Sequence, residues 1–275
     1  MKLAIDIGNT RLKAGLFDDG DEMVKEASWA AFSLGSLTDW LSGYHIVSSI
    51  VVASGDVPEG LEEYLQSRAI VLFLTHQTPI PLTMHYQTPE TLGRDRIAGA
   101  VGAYMLQPNM PCIKIDCGTC LTIDYIGWDA ENGASFEGGI ISLGLNMRLQ
   151  AMHHFTARLP QVSVNNGVDL IGKNTTEAMQ SGALWGIVAE IEGAVSRLSV
   201  RDGSSARSAD PRSGADRREL RTARPERSEG HAQTINIVIT GGDSPMILPF
   251  LGFSVRNEPT LVLKGLFQIL TYNAL

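Results

Sequence analysis

Apolar residues in the first half of the chain fall into short runs, separated by glycine and acidic residues. Residues 3–7 and 12–17 read as strands, and the polar turn Asp18-Asp19-Gly20 leads into a third at 22–27. Leu37, Trp40 and Leu41 are spaced for one face of a short helix at 36–42, and the β-branched run 46–52 follows as a buried strand. A helix at 58–68, with Leu61, Tyr64 and Leu65 on one side, and a strand at 70–74 complete a β-β-β-α-β-α-β order. That order predicts a mixed sheet with helices laid on it. Residues 76–89 are rich in Pro and Thr and show no helical period. Gly93-Arg94-Asp95-Arg96 then leads into an Ala/Gly-rich helix at 97–106, where Gly99, Ala100, Gly102 and Ala103 are small enough for a second helix to approach closely.

From residue 112 the opening pattern starts again: strand, glycine turn, a strand at 121–126, a hairpin at Glu131-Asn132-Gly133, and a run at 135–144 that bends into a helix at 145–155. Asn174 and Thr175 cap a helix with Glu177 in its first turn. Met179, Ala183, Ile187 and Ile191 give that helix an apolar face, and it extends to about residue 198. A strand at 235–240 ending in Gly241-Gly242-Asp243 and an apolar helix at 261–270 follow. Residues 201–232 differ from the rest, with eight Arg, six acidic residues, one Leu and no aromatics. So little apolar surface predicts a disordered insertion of charge +2, which leaves −10 on the remainder.

The 275 residues carry a net charge of −8, so no general field draws the protein to nucleic acid or anionic lipid. No apolar run approaches the roughly 20 residues of a membrane span. The N-terminal residues read as a strand and not as a secretion signal, so a cytoplasmic protein with no nucleic-acid or membrane partner is expected. Cys112, Cys117 and Cys120 have no fourth cysteine to complete a cluster and read as small buried residues. His153 and His154 are adjacent on a helix and point apart, which argues against a shared metal.

Two stretches carry chemistry. Asp6-Ile7-Gly8-Asn9-Thr10 and Asp116-Cys117-Gly118-Thr119, about 110 residues apart, each place a carboxylate and a glycine turn at a strand end. Glycine lets backbone N–H groups approach a phosphate, Asn and Thr add donors, and the Asp can hold the accompanying metal. Two copies imply a duplicated fold closing on one nucleotide. In Gly93-Arg94-Asp95-Arg96, a carboxylate flanked by two guanidinium groups would stay ionised and could accept a hydroxyl proton during attack on a γ-phosphate. Arg96 could hold a substrate carboxylate bidentately, and the Gly241-Gly242 turn suits a purine face or its ribose.

In order and spacing, these motifs resemble the type III pantothenate kinases of the acetate kinase/sugar kinase/Hsp70/actin superfamily. The resemblance includes Lys13, Tyr86 seven residues before Gly93, Gly138-Gly139-x-Ile141 with Gly144, Gly172-Lys173-Asn174-Thr175, Thr240-Gly241-Gly242 and Pro259-x-Leu261-x-Leu263-x-Gly265-Leu266. It implies a duplicated actin-like (ribonuclease H-like) α/β fold of mixed sheets, with lobes at 1–111 and 112–275 around a nucleotide cleft. It also implies that Asp6, Ile7, Gly8, Asn9, Thr10, Arg11, Leu12, Lys13 and Thr119 bind ATP, with Asp6 near Mg²⁺ and Asp116 on a monovalent cation, K⁺ or NH₄⁺. Asp95 would be the general base, and Tyr86, Gly93, Arg94, Asp95, Arg96 and Thr175 would bind pantothenate, Thr175 across a homodimer interface. The product would be 4′-phosphopantothenate. Leu143 stands where the family pattern has Pro, and the 201–232 insertion replaces a short connection. Two rivals are a transcription accessory factor of the same family and a superfamily kinase or phosphatase acting on a sugar or polyphosphate.

Overall fold

The computed structural model describes residues 1–164, 168–201 and 235–275. In the first half, β1 (Lys2–Ile7), β2 (Leu12–Phe17) and β3 (Met23–Trp29) form an antiparallel meander. After α1 (Leu34–Trp40), β4 (Ser48–Ala53) returns parallel to β1. Helix α2 (Leu61–Gln66) then leads to β5 (Ile70–Phe73), parallel to β4, and the sheet order is β3-β2-β1-β4-β5. The predicted element order is thus present, with shifted ends. α1 starts two residues early because the Ser33 and Ser36 side chains make a reciprocal cap. α2 starts late, at Leu61, because Gly60 is left-handed at φ +75°.

The second half repeats the plan. After β6 (Thr83–Met84) and α3 (Arg94–Leu106), the strands β7 (Cys112–Cys117), β8 (Cys120–Asp129) and β9 (Gly133–Leu143) form a second antiparallel meander. Helices α4 (Leu145–His154) and α5 (Thr175–Arg201) follow. Next come β10 (Asn236–Thr240), parallel to β7, α6 (Ser244–Ile247), β11 (Arg256–Asn257) and α7 (Leu261–Tyr272). The order β11-β10-β7-β8-β9-β6 matches the first sheet strand for strand, with β6 added at its edge. Asn174 caps α5 by accepting the Glu177 N–H at 3.0 Å. Of the expected insertion 201–232, only the backbone of Arg201 falls among the described residues.

Two elements cross the sequence midpoint. β6, in the stretch read as irregular, pairs in parallel with β9 of the second sheet. α7, from the far end of the chain, packs beside α3 and against β1, β2 and β4. α3 and α7 share one core with residues of both sheets, including Ala4, Ile50, Ile126 and Val238. Phe17 of β2 stacks on Phe267 of α7 with ring centres 4.2 Å apart. A side chain at Gly265 would overlap the Ala98 carbonyl, and one at Gly102 would overlap the Leu261 carbonyl, so the close helix approach is made by Gly102 and its partner on α7. The outer faces are covered separately, by α1 and α2 on the first sheet and by α4 and α5 on the second.

Candidate active site

Because β1 and β7 occupy equivalent places, their C-terminal turns point into the same cleft. The first turn is closed by Gly8 N–H donating to the Arg11 carbonyl at 3.0 Å, and the second by Gly118 N–H donating to that of Cys120 at 3.1 Å. The hydroxyls of Thr10 and Thr119 meet at 3.1 Å, both exposed to solvent. The third glycine turn lies against the second: Asp243 N–H donates to the Cys117 carbonyl at 2.9 Å, and Gly241, at φ +98°, sits against the Cys117 backbone with no room for a side chain.

The register sets the charges. Asp6 lies opposite Lys13 across β1 and β2, Asp116 opposite Thr122, and Lys114 opposite Asp124 across β7 and β8. Burial pushes the Asp6 carboxyl up to about 7, opposed by Lys13 and reinforced by the negative charges of Asp95 and Asp116. Burial likewise raises Asp116, opposed by Lys114 and reinforced by Asp95. Asp95, in the first turn of α3, therefore shares one electrostatic neighbourhood with both turn carboxylates.

The residues around Asp95 differ from the sequence reading. α3 begins at Arg94, three residues earlier than predicted, and consecutive helical side chains diverge. The Arg94 guanidinium turns back to the carbonyls of Pro89, Glu90 and Leu92 and straps the preceding loop. Arg96 is buried, and its Nε and Nη2 both donate to Asp124 Oδ1, the former at 3.0 Å. Neither guanidinium is paired with Asp95, so the expected flanking pair is corrected. The expected free bidentate grip of Arg96 is also corrected, since its fork is already occupied by a buried carboxylate. Arg96 also lies within electrostatic reach of Tyr86, and Tyr86 packs edge-on against Phe136. Tyr86, Arg96 and Asp95 are therefore brought together. Thr175, exposed on the first turn of α5, makes no hydrogen bond or ion pair to this group among the described residues.

Sequence reading missed Lys114 and Asp124. Both are fully buried, with Lys114 Nζ 3.0 Å from Asp124 Oδ2 and 3.8 Å from Asp116 Oδ2. Among the described residues no three His, Cys, Asp or Glu side chains converge to hold a metal alone. A divalent ion bound by one carboxylate, nucleotide phosphates and water suits Asp6, whose buried charge it would offset. A free monovalent cation at Asp116 does not suit the site, because the Lys114 ammonium already stands beside that carboxylate.

Two sheets of matching order, each ending a first strand in a carboxylate–glycine turn that faces one cleft, define the actin-like fold found in sugar kinases. Similar solved structures include a protein from Campylobacter jejuni described as a Baf family transcriptional activator, at a TM-score of 0.54 and 19% identity over 99% of this chain and 98% of that one. Another, from Sinorhizobium meliloti and described as a 2-dehydro-3-deoxygalactonokinase, has a TM-score of 0.54 at 12% identity, covering 99% of both chains. At these identities the likeness is one of fold. The family model for type III pantothenate kinase matches residues 2–197. The type III pantothenate kinase of Phocaeicola vulgatus is 33% identical over 277 residues, 99% of both chains, and that of Cytophaga hutchinsonii is 32% identical over 274 residues, 99% of this chain and all of its own. The chain belongs to the type III pantothenate kinase family.

Proposed function

We propose that this protein transfers the γ-phosphate of ATP to the primary hydroxyl of pantothenate, giving 4′-phosphopantothenate on the route to coenzyme A. The observation that carries the reading is the meeting of the two glycine turns at Thr10 and Thr119, with Asp95 facing the same carboxylates. The turn between β1 and β2, with Lys13 and Thr119, binds the phosphates. Asp6 would hold the Mg²⁺ that accompanies ATP, which would supply charge neutralisation on the phosphates. Asp95 takes the proton from the attacking hydroxyl. Tyr86, with the backbone around Gly93 and Arg94, shapes the pantothenate site, and Arg96 contributes through its position against Tyr86.

A homodimer belongs to the same proposal. Ile140, Ile141 and Leu143 on β9, with Phe155, Leu170 and Ile171, are large apolar side chains left exposed, Ile171 at 74%. A second copy that covers them would carry Thr175 to the neighbouring pantothenate site. Among the described residues no helix is long and apolar enough to cross a membrane, and a cytoplasmic location is part of the reading. Incubating the purified protein with ATP, Mg²⁺, K⁺ and pantothenate should yield phosphopantothenate. No product there, or faster phosphorylation of a sugar in the same panel, overturns the proposal.

A further inference from the structure

Lys114 points inward from β7, and its side chain is 1% exposed. The ammonium group donates to Asp124 Oδ2 at 3.0 Å and to Thr122 Oγ1 at 3.4 Å, and it stands 3.8 Å from Asp116 Oδ2. α3 makes room for the stem at a glycine, since a Cβ at Gly99 would come within 2.9 Å of Lys114 Cε. Lysines are rarely buried to this degree, because burial disfavours the charged form. Here the carboxylates of Asp124 and Asp116 both stand within 4.0 Å of the ammonium and offset that cost. Asp124 is shared, its other oxygen being taken by Arg96. One carboxylate thus faces two cations, and the remaining positive charge of Lys114 is directed at Asp116.

We infer that the Lys114 ammonium does at Asp116 what a free monovalent cation would otherwise do, so that this enzyme works without K⁺ or NH₄⁺. A lysine head group is a tethered ammonium ion, which loses no translational freedom on taking its place. A second cation beside Asp116 would be repelled by the fixed like charge of an ammonium group that is itself buried. The inference rests on the pantothenate kinase reading for its catalytic consequence, and the first of its tests does not depend on that reading.

The full-length protein, exchanged into a choline buffer, is titrated with Tl⁺ as a K⁺ probe and followed by thallium NMR. No specific Tl⁺ signal is expected for the wild type. Saturable Tl⁺ binding that K⁺ displaces overturns the inference. Turnover in choline should be close to that in K⁺ or NH₄⁺, and stimulation of about tenfold or more, equivalent to a full tenfold difference in an equilibrium, overturns it. Lys114→Met should gain K⁺-dependent thermal stabilisation and recover turnover as K⁺ is added. A folded Lys114→Met protein indifferent to K⁺ would show that Lys114 serves only its pair with Asp124. If that variant does not fold, the wild-type Tl⁺ titration decides. If no phosphopantothenate forms in any salt, the kinase reading fails and the Tl⁺ result still stands on its own.

Discussion

The side-chain oxygens of Thr10 and Thr119 lie 3.1 Å apart, although 109 positions separate them in the chain. Each hydroxyl belongs to a turn at the end of the first strand of its own sheet, so this contact joins the two turns across the cleft. Both groups are exposed, and a nucleotide phosphate entering here can replace their mutual bond with bonds to its own oxygens.

Thr119→Val keeps the shape and removes the hydroxyl. Loss of one such hydrogen bond is worth about 0.5–1.5 kcal/mol, so the KM for ATP should rise roughly two- to twelvefold with little change in thermal stability. The Thr10→Val, Thr119→Val pair should be non-additive, as neighbours in direct contact are. Steady-state kinetics with ATP varied would check both statements.

Asp95→Asn removes the proton acceptor while keeping the start of α3. Turnover should fall by about 10²–10⁴, the usual contribution of a positioned base. Nucleotide affinity, read by calorimetry, should remain within a few-fold of the parent value. Near-normal turnover would remove Asp95 from the chemistry.

Asp124→Ala strips the shared partner from two buried cations, Arg96 and Lys114. Breaking a buried pair from one side typically costs about 3–5 kcal/mol, and this variant leaves two charges uncompensated. Urea denaturation should show a loss at least that large, if the variant accumulates folded at all.

Gly265→Val should destabilise by overpacking, since any Cβ there overlaps the Ala98 carbonyl. Such insertions cost about 1–3 kcal/mol, and a rigid backbone neighbour argues for the upper end. Gly182→Ala, on α5 with open space around its Cβ, serves as the control and should be neutral or stabilising in the same melts.

Asp6 gives a pH dependence with a definite sign. Its carboxyl is raised from 3.8 to about 7 in the folded protein, which therefore binds that proton more tightly than the unfolded chain across this window. The contribution to stability is fully present below 3.8, declines as pH rises towards about 7, and changes no further above it. Asp6→Asn should flatten this part of the melting temperature–pH curve. Mg²⁺–ATP binding, which needs the ionised carboxylate, should strengthen over the same interval.

The turns were legible in the sequence because a carboxylate and a glycine directly after an apolar run occur twice, about 110 residues apart. β6 and β11 were not, since two-residue strands leave no periodicity and exist only through their neighbours. The roles of Arg94 and Arg96 were misread because residues adjacent in sequence leave a helix in different directions. Lys114 and Asp124 carried a readable signal. A hairpin that pairs Cys117 with Leu121 must also pair residue 114 with 124, and a lysine within an apolar strand calls for an acid opposite. The packing of α7 on the first sheet is a property of topology, which local pattern does not record.

That packing has a bearing on synthesis. The sheet made first by the ribosome has one of its faces covered by residues 261–272, which emerge only after every strand of the second sheet. Until then Phe17 lacks its stacking partner, and the inward sides of β1, β2 and β4 remain open to water or to a chaperone. The first sheet is therefore completed only after the strands of the second have been made, and a nascent chain stalled before α7 would leave that apolar face uncovered.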